Sequence, residues 1–456
     1  MKMKETLTIL AVGAAMTGAL AGCSDDNDPV APMPADQAGT TFTLTIENVS
    51  EPGDFFASGV FAVPVGAASP APIGPGGAYE FSVGAEPGSR LSFATMFVHS
   101  NDLFYAPSGQ GIALFNPDGT PRQGDVTREV MLWDAGTEAN EQPGVGANQA
   151  PHQAGPDTGP ADPDMTVRLV NDGFDYPATT EVIRVTLAGD GHNLFTVRIE
   201  NVSDSMTLQT TGGMSDAVPL APGVFVVHQG SDPLFTSGTK DMMTGLEALA
   251  EDGSPDQLAT GLSSRVGQIV PLAPGIAAVH AMGPSLFRVG ITDGGHGLEA
   301  LAEDGDPSGL IGYFGGRSDV SFASAFMVPD GAAAPSPIGP GQTYSISFVA
   351  DMGDRLSFAT MFVQSNDLFY AFDPMGHALF AKDGTPQVGD LTGMVRLWDS
   401  GTERNEWPGA GPAQAPRQGG PDTGAADPNR AVRTAADGFP YPATDQVIRV
   451  TLSVEP

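Results

Sequence analysis

The sequence predicts a mainly β chain built as two tandem antiparallel sandwiches, and three observations carry that reading. LSFATMFVHSNDLFYA from Leu91 returns as LSFATMFVQSNDLFYA from Leu356, 265 residues later, and the same offset relates LWDAGTEANE (Leu132) to LWDSGTERNE (Leu397) and EVIRVTL (Glu181) to QVIRVTL (Gln446). A register held over that distance marks two copies of one folded unit, because insertions collect in loops and would break it. FTLTIENV from Phe42 and FTVRIENV from Phe195 alternate apolar and polar residues with period two, the signature of half-buried strands. Turn sequences such as PIGPGG (Pro72) and PIGPGQ (Pro337) separate the runs, as in a sandwich.

Taken in order, the elements begin with an export signal. Lys2 and Lys4 precede an apolar run from Leu7 to Gly22, too short to span a membrane, and Cys23 follows. LAGC resembles a bacterial lipobox, which implies cleavage after residue 22 and lipidation of Cys23, the single cysteine of the chain. Ser24 follows that cysteine in place of Asp, which by the same resemblance favours the outer membrane over the inner. Residues 23–40 are acidic, carry prolines and lack an apolar period, so they read as a tether. The first sandwich is expected over 41–190 and the second over 193–454.

Helical periodicity is expected only in the second unit. Met242, Met243, Leu246, Leu249 and Ala250 fall at helical spacing and Gly253 supplies a stop. That piece is itself doubled: PLAPGVFVVH (Pro219) to GLEALAEDG (Gly245) recurs as PLAPGIAAVH (Pro271) to GLEALAEDG (Gly297), 52 residues on, giving modules at about 219–264 and 271–316. The first unit is therefore read as a short form without the module.

Lys and Arg number 20 against 54 Asp and Glu, a net charge of −34 that repels nucleic acid and anionic membrane surfaces. A saline habitat selects the same excess, so the charge does not by itself indicate cation binding. With one cysteine, no internal disulfide forms, and stability rests on core burial or metal. Catalytic signatures are missing: there is no nucleophile elbow and no HExxH, and His99 and His152 become Gln364 and Arg417 in the second copy. His228 and His280, which do recur, read as structural residues at strand ends, and the EDG after each helix reads as a solvated helix end.

Acids recur at fixed separations. Asp102, Asp134 and Glu138 correspond to Asp367, Asp399 and Glu403, with Asn140, Glu141, Asn405 and Glu406 beside them as possible additional ligands. Spacing alone leaves two readings open, a calcium shell built from loop carboxylates at one end of a β scaffold or turn formers bonding their own backbone. The motifs contain scarcely a Lys or Arg to neutralise the acids, Arg404 excepted. The long loops from Gln142 and Trp407 each contain Pro-Asp-Thr-Gly; Asp157 and Asp422 read as turn formers and the loops as a recognition surface.

The order of strand, PLAPGVFVVH…GLEALAEDG, LSFATMFVQSNDLFYA, LWDSGTE, long loop and YPAT…VIRVTL resembles the spondin N-terminal domain of secreted matrix proteins and bacterial lipoproteins. Asp134-Ala135-Gly136-Thr137-Glu138 is similar to that family's D-A-G-T-acid motif, and Asp399-Ser400-Gly401-Thr402-Glu403 departs by one Ser. The resemblance implies C2-like sandwiches, each holding one Ca2+ through Asp102, Asp134 and Glu138 or Asp367, Asp399 and Glu403, with Glu in place of the family's second Asp. The function expected is a surface-anchored, calcium-binding interaction or adhesion lipoprotein, not an enzyme, with an extracellular protein or glycan as ligand. A structural lipoprotein using metal for stability, and a metal-dependent hydrolase, are the alternatives.

Overall fold

A computed structural model describes residues 39–455 except Thr211, Met242, Met243 and Pro284. The signal segment, Cys23 and all but the end of the tether lie outside the described residues, and the first strand begins at Thr40. Among the described residues no helix is long and apolar enough to cross a membrane.

The fold is mainly β, with two sandwiches of antiparallel strands. In the first, one sheet runs in the order Ala78–Gly84, Leu194–Asn201, Ile183–Gly189, Gly124–Asp125. The facing sheet runs Phe55–Phe61, Leu220–His228, Arg90–Phe97, Leu103–Pro107, Val130–Asp134, Arg168–Leu169. The second sandwich repeats this plan with Thr343–Ala350, Thr40–Asn48, Ile448–Val454 and Gly389–Asp390 in one sheet. Its other sheet is Val320–Phe326, Leu272–His280, Arg355–Phe362, Leu368–Ala371, Arg396–Asp399, Arg433–Thr434.

The strand pairing corrects the expected boundaries of 41–190 and 193–454. Thr40–Asn48, first in the chain, is a central strand of the second sandwich, while Leu194–Asn201 fills the equivalent place in the first. The first sandwich is thus a circular permutation, running from about 55 to 265 and inserted whole after the opening strand of the second. Period two allows this because both strands present the same alternation: Phe42, Leu44 and Ile46 are buried in one core, Phe195, Val197 and Ile199 in the other. Each strand is locked at its end by a buried asparagine. Asn48 Nδ2 donates to the carbonyls of Val270 and Ile338 at 2.8 Å, and Asn201 Nδ2 donates to those of Ile73 and Val218 at 2.9 and 2.8 Å.

The two helical modules do lie within 193–454, but each serves a different sandwich, so the first unit is not a short form. Helices Leu246–Asp252 and Asp256–Ser263 cover the outer face of the first sandwich's larger sheet, and Leu298–Asp304 with Ser308–Gly315 cover the second. Leu246, Leu249, Leu258 and Leu262 pack on Phe104, Trp133, Val224 and Val226. This second layer explains why Arg90–Phe97 is buried on both faces beyond its first residue and reads as a continuous apolar run. Gly253 stops the first helix in a left-handed conformation, φ 63°, as its position predicts. The module's second helix was not expected, and Met242 and Met243 lie outside the described residues.

Candidate metal centre

Asp102 ends the turn after Arg90–Phe97, and Asp134 is the last residue of Val130–Asp134, which pairs with Leu103–Pro107 so that Leu103 lies opposite Asp134. The ladder thereby brings the two acids to one end of the sheet. Gly136 then turns the chain with φ 71°, where an added Cβ would lie 2.6 Å from the Thr166 carbonyl oxygen. That turn folds the Thr137 and Glu138 amides over Asp102.

Asp102 is fully buried. Its Oδ2 accepts hydrogen bonds from the Thr137 amide (2.7 Å), the Thr137 hydroxyl (2.9 Å) and the Glu138 amide (3.1 Å), whereas Oδ1 has no partner. Asp367 repeats this: Oδ2 accepts from Thr402 N, Thr402 Oγ1 and Glu403 N at 2.7, 2.9 and 3.0 Å, and Oδ1 has none. Ser400, the departure from the first copy's motif, adds a fourth donor to that Oδ2 at 3.0 Å. Burial raises the pKa of both aspartates against the lowering effect of these donors.

Asp134 Oδ1 accepts from Gly136 N at 2.7 Å, and Oδ2 accepts from Asn140 Nδ2 at 2.8 Å and Arg168 at 2.7 Å. The same guanidinium nitrogen reaches Asp162 at 2.6 Å. In the second copy Asn405 and Arg433 hold Asp399 at 2.8 and 2.6 Å, and Arg433 also holds Asp427 at 2.6 Å. The site therefore has a cation that the motif lacked, because Arg168 and Arg433 arrive from a strand paired across the sheet. One arginine does not neutralise it: burial, then the neighbouring Asp102 or Asp367, pushes Asp134 and Asp399 up to about 7.

Glu138 is buried but its carboxylate turns to other partners, Gly159 N at 2.5 Å and Asn101 Nδ2 at 3.2 Å; Glu403 does likewise with Gly424 and Asn366 at 2.5 and 3.3 Å. Asp102, Asp134 and Glu138 are not among the acidic groups whose oxygens lie within 4.8 Å of one another. Asn140 and Asn405 reach the site as donors to the aspartates. Glu141 and Glu406 point into the long loops, accepting from Asn148 N and Ala413 N at 2.8 and 2.9 Å.

The acids that do converge were not singled out as ligands. Asp157, Glu247 and Glu251, and their equivalents Asp422, Glu299 and Glu303, each bring carboxylate oxygens within 4.8 Å. Glu247 and Glu251 are one helical turn apart and meet Asp157 of the long loop, whose φ of 54° fits the turn expected there. The reading of EDG as a solvated helix end fails at Glu251 and Glu303, each 1% exposed, since both accept the amide of the loop aspartate. Burial pushes both up to about 7. The signal available in the sequence was the repeated Glu-x-x-x-Glu of GLEALAEDG with PDTG; only the fold shows that they meet.

His228 and His280 are structural, as expected: each buried ring bonds a serine hydroxyl, Ser92 or Ser357, at 2.9 Å and a nearby carbonyl at 2.7 Å. Comparison of the chain with models of known protein families finds no match, and comparison with curated proteins finds none.

Proposed function

We propose that the chain is a spondin-like lipoprotein of the bacterial envelope, anchored through Cys23, that acts by binding an extracellular ligand and uses calcium to set the end of each sandwich that carries the acids repeated between the two copies. The observation that carries the calcium reading is the orphaned oxygen, Asp102 Oδ1 or Asp367 Oδ1, buried within electrostatic reach of a second carboxylate in both copies. A buried carboxylate oxygen with no donor is costly, and a hard cation removes that cost. Asp102 with Asp134, and Asp367 with Asp399, are the residues that would hold it; the chemistry supplied is charge neutralisation and cross-linking of two loops. Glu138 and Glu403 support the site through their amides.

Nothing in this arrangement sets a general acid or base apart from the acids that close the shell, which supports binding over turnover. Asp157, Glu247 and Glu251, with their equivalents Asp422, Glu299 and Glu303, are the residues that would hold a second ion in each sandwich. Calorimetric titration of the full chain with calcium, beside Asp102→Asn with Asp367→Asn, tests the reading. Heat corresponding to one inner ion per sandwich, absent from the variant, supports it; equal heats from both proteins refute it.

A further inference from the structure

Where the two sandwiches meet lies a cavity of about 440 Å³ that neither copy forms alone. One wall is the hairpin of the first sandwich that joins Ile183–Gly189 to Leu194–Asn201, presenting Asp190 and His192; the other is the second sandwich's segment Arg404–Trp407, closed by Phe439. The seam is ordered by specific contacts. Asn193 Nδ2 donates to the Ala410 carbonyl at 2.8 Å, His192 Nδ1 lies 3.1 Å from Glu406 Oε1, and Trp407 sits so close to Gly84 that a Cβ there would meet its indole at 2.0 Å. Trp407 and Phe439 meet edge to face at 5.9 Å.

The duplication supplies an internal control. At the positions equivalent to Arg404 and Trp407 the first copy has Ala139 and Gln142, so the fold of a copy needs neither residue. Packing on Gly84 accounts for the indole; it does not account for Arg404, which is exposed and, among the described residues, makes no hydrogen bond or ion pair through its side chain. Arg404 thus lines one cavity with two aromatic rings, a His–Glu pair and Asp190, a lining that combines apolar surface with donors and acceptors. The volume falls in the range of small-molecule sites, roughly 300 to 1,000 Å³.

We propose that this cleft binds a neutral sugar ring, with its apolar face on the aromatic wall and its hydroxyls shared between Arg404 as donor and Glu406 and Asp190 as acceptors. Charge decides against an acidic sugar: the two carboxylates and the net charge of −34 both oppose it. The inference rests on the reading of the chain as an interaction module, and names the ligand class of a site created by the joining of the two sandwiches.

The test titrates the full mature chain, in calcium buffer, with neutral mono- and disaccharides and with their uronic acid counterparts, following indole emission and heat. Of the three tryptophans Trp133 and Trp398 are buried, so a ligand-dependent change in emission reports Trp407. Saturable binding of a neutral sugar is expected, weakened about tenfold by Arg404→Ala with no change in melting temperature, and retained by Trp407→Phe more than by Trp407→Gln. The proposal is overturned if no neutral sugar binds, if Arg404→Ala binds as well as wild type, or if the uronic acid binds more tightly than its neutral counterpart. Loss of sugar binding with an intact calcium response removes this site only; sugar binding without any calcium response removes the metal reading only.

Discussion

Leu44→Ala combined with Ile46→Ala is expected to open the second sandwich and leave the first folded. The residues lie near the N-terminus, before every strand of the first sandwich in the chain, yet their side chains are 0% and 1% exposed inside the second core. Each truncation of a buried Leu or Ile costs roughly 2–5 kcal/mol, so the pair removes on the order of 4–10 kcal/mol. That rivals the roughly 5–15 kcal/mol that holds a whole domain together. The strand also carries eight cross-strand pairs with Thr343–Ala350 and seven with Ile448–Val454, so its release exposes two further strand edges. Hydrogen exchange followed by mass spectrometry should show amides in 343–350 and 448–454 losing protection while those in 78–84 and 183–189 keep it. Val197→Ala with Ile199→Ala, in the equivalent strand, should give the mirror image. If the first double variant instead loosens 78–84 and 183–189, the permuted pairing is wrong.

Calcium should raise the melting temperature: an ion that binds only the folded state at a hundred times its dissociation constant adds about 2.7 kcal/mol, and Asp134→Asn with Asp399→Asn should remove the shift in a thermal scan. Asp102→Asn should be neutral or stabilising in chelator, because it keeps the shape while removing a buried charge, and destabilising relative to wild type once calcium is added. Without calcium, stability should fall as pH rises. Asp134, Asp399, Glu251 and Glu303 titrate near 7 in the folded state, above their unfolded values near 4, so the folded chain holds protons the unfolded chain has released. Their stabilising contribution is complete below about pH 4 and lost through about pH 7, and urea midpoints at pH 5 and pH 8 should differ accordingly, less so with calcium or in Asp134→Asn with Asp399→Asn. Cys23→Ser should abolish incorporation of a palmitate analogue and release the protein from membranes; label retained by the variant would remove the lipobox reading.

Local pattern was legible wherever one strand or helix decides its own periodicity. Phe42-x-Leu44-x-Ile46 announced a half-buried strand, the left-handed Gly253 announced a helix end, and the 265-residue register announced two copies. Partner choice was not legible, because FTLTIENVS and FTVRIENVS offer the same alternation and either suits either sheet. The site divided the same way. The D-A-G-T-Glu turn and the SND aspartate do meet, since the ladder sets Leu103 opposite Asp134. Arg168, more than thirty positions beyond Asp134, arrives through sheet pairing that no local motif records. Glu251 looked like a solvated helix end because its burial depends on a loop about ninety residues away.

The permuted order also sets a problem in assembly during synthesis. Thr45 faces Ser345, 300 positions later, and the strand's other neighbour lies about 400 positions on. A chain made from its N-terminus therefore holds this strand without its partners while the whole first sandwich emerges. The first slot to open is the gap between Ala78–Gly84 and Ile183–Gly189, which is complete before Leu194–Asn201 exists. FTLTIENVS fits that gap by alternation and ends in the same Asn-Val-Ser lock. The nascent chain can thus seat Thr40–Asn48 in that slot before the facing sheet gains its central strand Leu220–His228, and reaching the final arrangement then requires one strand to displace its near twin and travel to the second sheet. Refolding from denaturant, where both strands compete at once, should accordingly partition between a fast direct route and a slow phase limited by that exchange.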